Sequence, residues 1–269
     1  MSIKIDEPKL IGIFSSIYYE KRVKMSKIRI FSGNALKIIA ALTMLIDHIG
    51  YILFPRVIIL RIIGRLAFPI FAFMIAEGCK HTRNKLRYIL TVGLFATAIQ
   101  IVYGVVMRSW KMSVFVTFTL AILLVYLFQF FKDCLFDSRC ALVKKVLSGV
   151  IFALAVVAVY FLSRFVNIDY GFYGCMMPVA ASLFHSPKGV SSRLLEKLDC
   201  IPVSVITMGV CLAWFSINRG WVQIYSLLAL PLLMLYSGKR GKLKMKYFFY
   251  IFYPLHLVAL EGIQLLLER

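Results

Sequence analysis

From Leu36 to Leu267 the sequence alternates long apolar runs with short polar connections, and nine runs reach or approach the length of a membrane helix. They lie at about 36–54, 57–78, 88–107, 114–131, 146–162, 172–184, 201–217, 222–236 and 248–267. A hydrocarbon core about 30 Å thick takes roughly 20 helical residues, so the sixth and eighth runs are short. One of them is expected to be tilted, broken or re-entrant. The pattern predicts an all-α integral membrane protein, a polytopic bundle of about nine transmembrane helices. Residues 1–31 form a separate basic segment, cytoplasmic or interfacial, and residues 32–269 the membrane domain. The first segment mixes charge with Ile11, Ile13, Phe14, Ile17, Tyr18 and Tyr19, which suits a short interfacial helix or a loose chain. Met25, followed by SKIRIFSGN, is a second plausible start.

Charge in the loops orients the bundle. One alternating set carries Lys80, Arg83, Lys85 and Arg87, then Lys132, Arg139, Lys144 and Lys145, then Lys188, Arg193 and Lys197, then Lys239, Arg240, Lys242, Lys244 and Lys246. The other set carries only Arg56 and Arg61, Arg108 and Lys111, Arg164, and Arg219. Cytoplasmic loops hold the excess of Lys and Arg, so the N-terminus is expected inside and the C-terminus outside.

Composition agrees. The chain is 61% hydrophobic with a mean hydropathy of +0.84, well above a soluble domain. Its net charge of +20 reads as positive-inside bias and contact with anionic lipid, since no nucleic-acid motif stands outside the spans. A multi-pass location in the cell (plasma or inner) membrane follows. Six scattered cysteines without a CxxC pair suggest reduced packing thiols, with no metal site and no disulfide framework.

Polar residues inside the runs carry the candidate chemistry. In SGNALKIIAALTMLIDHIG, His48 lies eleven helical steps after Lys37, placing the imidazole about 16 Å deeper. Asp47 and His48 therefore sit at lipid depth, where an ionisable pair marks either a functional site or a polar clamp between helices. Arg65 lies about 12 Å in from the outer end of the second run and needs a partner, for which Asp47 is the natural choice. The other reading is snorkelling toward Arg61. Pro69 predicts a kink beside that charge. Glu77 and His81 share a face at the cytoplasmic end, as part of a site or as an ordinary interfacial pair.

The last run approaches from the opposite direction. YFFYIFYPLHLVALEG places His256 about 12 Å deep, level with His48, and Pro254 frees a carbonyl nearby. Tyr247, Tyr250 and Tyr253 line one face, either of a cavity or of an aromatic belt. Asp169 and Tyr170 form a tight turn on the outer side, where the acid serves as a substrate group or a helix cap.

A buried imidazole beside a carboxylate suits proton abstraction, with His48 as base and Asp47 neutralising Arg65. Lys37, Arg83 and Lys246, with Lys85 and Lys244, lie where a phosphate-bearing donor such as an acyl-coenzyme A would dock.

These motifs, with GRLAFPIFAFMIAEGCKHTRN, IDYGFYG, LYSGKRG and KYFFYIFYPLHL, resemble the TraX family of polytopic membrane proteins from Ser32 to Leu257. The family's namesake is associated with N-terminal acetylation of conjugative pilin. The Lys37-x10-His48 spacing is similar to the basic-x10-His pattern of the acyltransferase-3 superfamily, which O-acylates surface polysaccharides from a cytoplasmic acyl donor. The resemblance implies an acetyltransferase with His48 as catalytic base, Lys37 and Arg65 assisting with the donor, and acetyl-coenzyme A as acyl donor. It implies as acceptor an amine or hydroxyl on an exported protein or a surface glycan. Within that expectation His256 and Tyr253 complete the cavity, and Asp169, Tyr170, Tyr253 and Glu77 contact substrate. Two rivals stand beside it. A proton-coupled transporter also uses buried His, Asp and Arg, and a non-catalytic assembly factor needs neither histidine.

Overall fold

The computed structural model describes residues 29–106, 111–187, 193–242 and 246–267. The expectations for residues 1–28, including the interfacial helix and the Met25 start, lie outside the described residues. Every regular element among the described residues is a helix, and two isolated bridges join Phe31 to Tyr236 and Met112 to Ile168.

Among the described residues, seven helices are long and apolar enough to cross a membrane. The first is α1 (Gly33–Ile52), whose start is fixed by the Ser32 side chain accepting from the Ala35 amide at 3.2 Å. The second crossing is broken into α2 (Ile58–Gly64) and α3 (Ala67–His81). The break falls at Arg65 and Leu66, because Pro69 has no amide hydrogen for the Arg65 carbonyl four residues before it. It is the kink that the sequence predicts at that charge. Then follow α4 (Lys85–Val106), α5 (Val114–Phe136) and α6 (Leu142–Phe165).

The sixth and eighth runs are the short ones. Helix α7 (Gly171–Ala181) has 11 residues. After α8 (Arg193–Leu198) and α9 (Ile201–Arg219), the eighth run folds as α10 (Trp221–Ile224), a 3₁₀ turn (Tyr225–Leu228) and α11 (Ala229–Met234). The last crossing is α12 (Lys246–Leu267). The expected count of about nine thus resolves into seven full-length helices and two shorter apolar segments.

Both short segments are pinned at each end. The Asp169 carbonyl before α7 accepts from Thr117 Oγ1, one turn into α5. Beyond its other end, Lys132 Nζ donates to the carbonyls of Ser182, Leu183 and His185 at 2.9, 3.1 and 2.8 Å. Lys132 was expected in a loop; it is instead buried within α5, because the helix runs five residues past the apolar run to Phe136. The eighth run starts with Gln223 against Arg65 and ends with Tyr236 bridged to Phe31.

Helix α3 is the hub. Its Ile70, Ala72 and Phe73 are fully or almost fully buried against Leu36 and Ala40 of α1, Ile122 of α5, Met177 of α7 and Leu233 of α11. Helix α6 lies at the periphery, exposing Leu154, Phe161 and Phe165 as a lipid-facing surface does. All six cysteines are unpaired thiols.

Candidate functional site

Close packing of α1 on α2 sets the first part of the site. A methyl group at Gly64 would overlap Asp47, so the glycine lets the two helices approach there. Asp47 consequently meets two guanidinium groups: Oδ1 accepts from Arg65 Nη2 at 2.5 Å and Oδ2 from Arg61 Nη1 at 2.8 Å. Arg61 Nη1 also donates to the Asp47 carbonyl, and Arg65 Nε to the Arg61 carbonyl. The expected Asp47–Arg65 pair is therefore a triad. Arg61 and Arg65 are four apart on one helical face, a spacing that signals their shared partner. Gln223 completes the group by accepting from Arg65 Nη1 at 3.3 Å.

The two histidines meet. His48 Nδ1 lies 2.8 Å from His256 Nε2 with the rings stacked 5.0 Å apart, and His256 Nδ1 lies 2.8 Å from the Phe252 carbonyl. A carbonyl only accepts, so His256 carries its hydrogen on Nδ1 and leaves a lone pair on Nε2. With both rings neutral, His48 must donate from Nδ1. Its Nε2 is then an unprotonated nitrogen.

A cavity of about 630 Å³ opens from the basic end of the bundle. Lys37, His81, Arg87 and Arg240 supply its polar lining with Glu77, and Phe71, Phe115, Phe118, Phe249 and Tyr250 its apolar part. Four of the expected residues, Lys37, Glu77, His81 and Tyr250, line it. Arg87 and Arg240 were not singled out: Arg240 gets there because the Gly33 and Asn34 amides bond the carbonyls of Lys239 and Arg240. Arg83 is exposed and does not line the cavity, although its neighbours Thr82 and Asn84 do. The side chains of Lys246 and Tyr247, and Lys244 as a whole, lie outside the described residues.

Tyr253 and His256 were expected to wall this cavity and do not. Tyr253 is 3% exposed and stands behind the lining, edge-on to Phe115 at 4.6 Å on one side and to His48 at 6.3 Å on the other. Its hydroxyl bonds Tyr103. One aromatic layer thus separates the cavity from the histidine pair.

The remaining expected residues divide between the ends. Tyr170 stacks on Phe68 with centroids 3.6 Å apart. It takes φ +60° as the residue before α7, and no side chain caps that helix, so Asp169 is not its cap. Asp169 instead lies 3.9 Å from Lys111 Nζ. At the basic end Glu77 meets His81 Nε2 at 3.4 Å, lies 4.0 Å from His185 Nε2 and bonds the Tyr236 hydroxyl. Burial, reinforced by the Lys80 cation, pushes His185 down to about 3, so it stays neutral. Beside it Asp199 accepts from Lys80 at 2.5 Å and from the Ser186 amide at 3.0 Å.

Comparison with known proteins places this arrangement. Residues 32–264 match the family described as TraX protein. "Probable fimbrial assembly protein FimC, serogroup H1" of Dichelobacter nodosus is 27% identical over 254 residues, covering 88% of this chain and 98% of that protein. "Uncharacterized protein RP591" of Rickettsia prowazekii (strain Madrid E) is 29% identical over 140 residues, covering 51% of this chain and 50% of that protein. No solved structure matches. A match over most of the length, a span that includes His48, Arg65 and His256, makes the chain a member of the TraX protein family.

Proposed function

We propose that this protein is an inner-membrane acyltransferase that moves acetyl from acetyl-coenzyme A to an amine or hydroxyl on an exported or membrane-exposed acceptor. A pilin-like protein N-terminus is the acceptor that the fimbrial relative's name favours. The basic end of the bundle is cytoplasmic, and the two short segments complete nine passes. The observation that carries the reading is the hydrogen-bonded His48–His256 pair, one aromatic layer from a cavity with a cationic mouth.

The chemistry follows from the tautomers. His48 Nε2 takes the proton of the acceptor N–H or O–H as that atom attacks the thioester carbonyl, and the carbon–sulfur bond breaks to release the coenzyme thiolate. The imidazolium formed at His48 keeps its Nδ1–H bond to His256, now charge-assisted, and the Phe252 carbonyl holds His256 in register. Lys37, Arg87 and Arg240 hold the donor phosphates at the mouth, and the aromatic lining takes its arm. For the thioester to reach His48, Tyr253 must move aside.

Purified protein in lipid nanodiscs is expected to bind acetyl-coenzyme A, with Arg240→Gln weakening binding about tenfold, the equivalent of one phosphate contact. Calorimetric titration decides. Absence of binding by the unaltered protein would leave the proton-coupled transporter as the better reading, since a transporter has no use for that nucleotide.

A further inference from the structure

The charged cluster at the end opposite the cavity is incomplete. Arg61 and Arg65 share one carboxylate, Asp47, and the neighbouring Asp169 lies against Lys111. Lys111 is half-exposed, so the imbalance lies at Asp47: two guanidinium groups share one carboxylate, leaving one positive charge unmatched. Burying an unmatched charge is costly, so such a cluster favours an added anion.

The neighbouring amide points to the same ligand independently. Gln223 is 7% exposed, and its oxygen must face Arg65 because a guanidinium has only donors. Its Nε2 is thereby left buried with no partner. Arg61 adds unused donors: Nη1 makes both of its hydrogen bonds, to Asp47, while the side chain remains 28% exposed above Tyr51. Every unmet group here is a donor, and the ligand that answers only donors is an oxyanion.

We propose that Arg61, Arg65 and Gln223 form a docking site for a single oxyanionic group, a carboxylate or phosphate, carried by the acceptor of the transferred acyl group. Asp47 adjoins His48 in sequence, so an anion held on its two arginines lies in the neighbourhood of the histidine pair. The acceptor is accordingly a molecule with a negative group near its reactive amine or hydroxyl. The acceptor assignment rests on the acyl-transfer reading; the anion site itself does not.

The test uses the full chain in phosphatidylcholine nanodiscs, with acetate and inorganic phosphate as probes and thermal unfolding as the readout. Either anion is expected to raise the melting temperature saturably. Arg61→Gln weakens that response at least tenfold in half-saturating concentration. Gln223→Glu supplies the missing anion from the chain, so it abolishes the response while raising the melting temperature without any probe. Arg240→Gln, in the cavity, retains it. The site is overturned if neither anion acts, if the response survives both Arg61→Gln and Gln223→Glu, or if it vanishes in Arg240→Gln. Loss of the response when phosphatidylglycerol replaces phosphatidylcholine would assign the site to a lipid headgroup and overturn the acceptor. Acetyl-coenzyme A titrated into the same samples separates the two claims: its failure to bind counts against acyl transfer, and the anion response stands or falls alone.

Discussion

At the basic end, Lys37, Arg87 and Arg240 face a cavity of about 630 Å³, whereas at the opposite end Arg61 and Arg65 close on Asp47 at 2.8 and 2.5 Å. The first set keeps its charge available to something that enters. The second spends most of it on a neighbour within the protein. Cations of one chemistry therefore serve two ends: a mouth tolerates mobile, hydrated charges, while a buried cluster has to be fixed by geometry. The histidine pair lies between them, reached from one side through aromatic rings and flanked on the other by the guanidinium groups.

The contrast can be broken most severely at Asp47. Asp47→Ala leaves the buried Arg65 guanidinium and the partly exposed Arg61 one without their anion, a loss of about 3 kcal/mol. Thermal unfolding in detergent is expected to show a destabilised protein, and Asp47→Ala combined with Arg65→Met should recover part of the loss. A next, smaller effect belongs to the basic end. Lys132→Met keeps the buried stem and orphans three carbonyls at the end of α7, costing about 2 kcal/mol. Hydrogen exchange should rise at 182–185 while the opposite end keeps its protection. The smallest effect is titration of His185. The unfolded chain binds this proton near pH 6.5 and the folded one only at about 3, so stability falls as pH drops through that window. His185→Asn should flatten that part of the melting-temperature profile.

The sequence carries the bundle well because lipid thickness imposes one length on every crossing. It also carries His48, His256 and the Asp47–Arg65 pairing, since helical rise converts residue number into depth. Other features needed tertiary contacts. Lys132 sits at the edge of an apolar run, where a snorkelling lysine and a capping one look alike until α7 is in place. Arg240 belongs to a loop that returns to the start of α1, and Gln223 is an uncharged residue in the most irregular run. Arg61 was legible by its four-residue spacing from Arg65, yet loop charge alone accounted for it. Tyr253 was placed on the right face but at the wrong layer, because periodicity gives direction and says nothing of which ring lies in front.

The central claim is that His48, held by His256, performs the transfer. The most direct measurement is acetyl transfer from labelled acetyl-coenzyme A into exported proteins and glycans, read by mass spectrometry in cells making the natural protein or His48→Ala at equal membrane abundance. The account predicts that the acetyl mass disappears with His48→Ala while the protein still inserts; undiminished acetylation would contradict it.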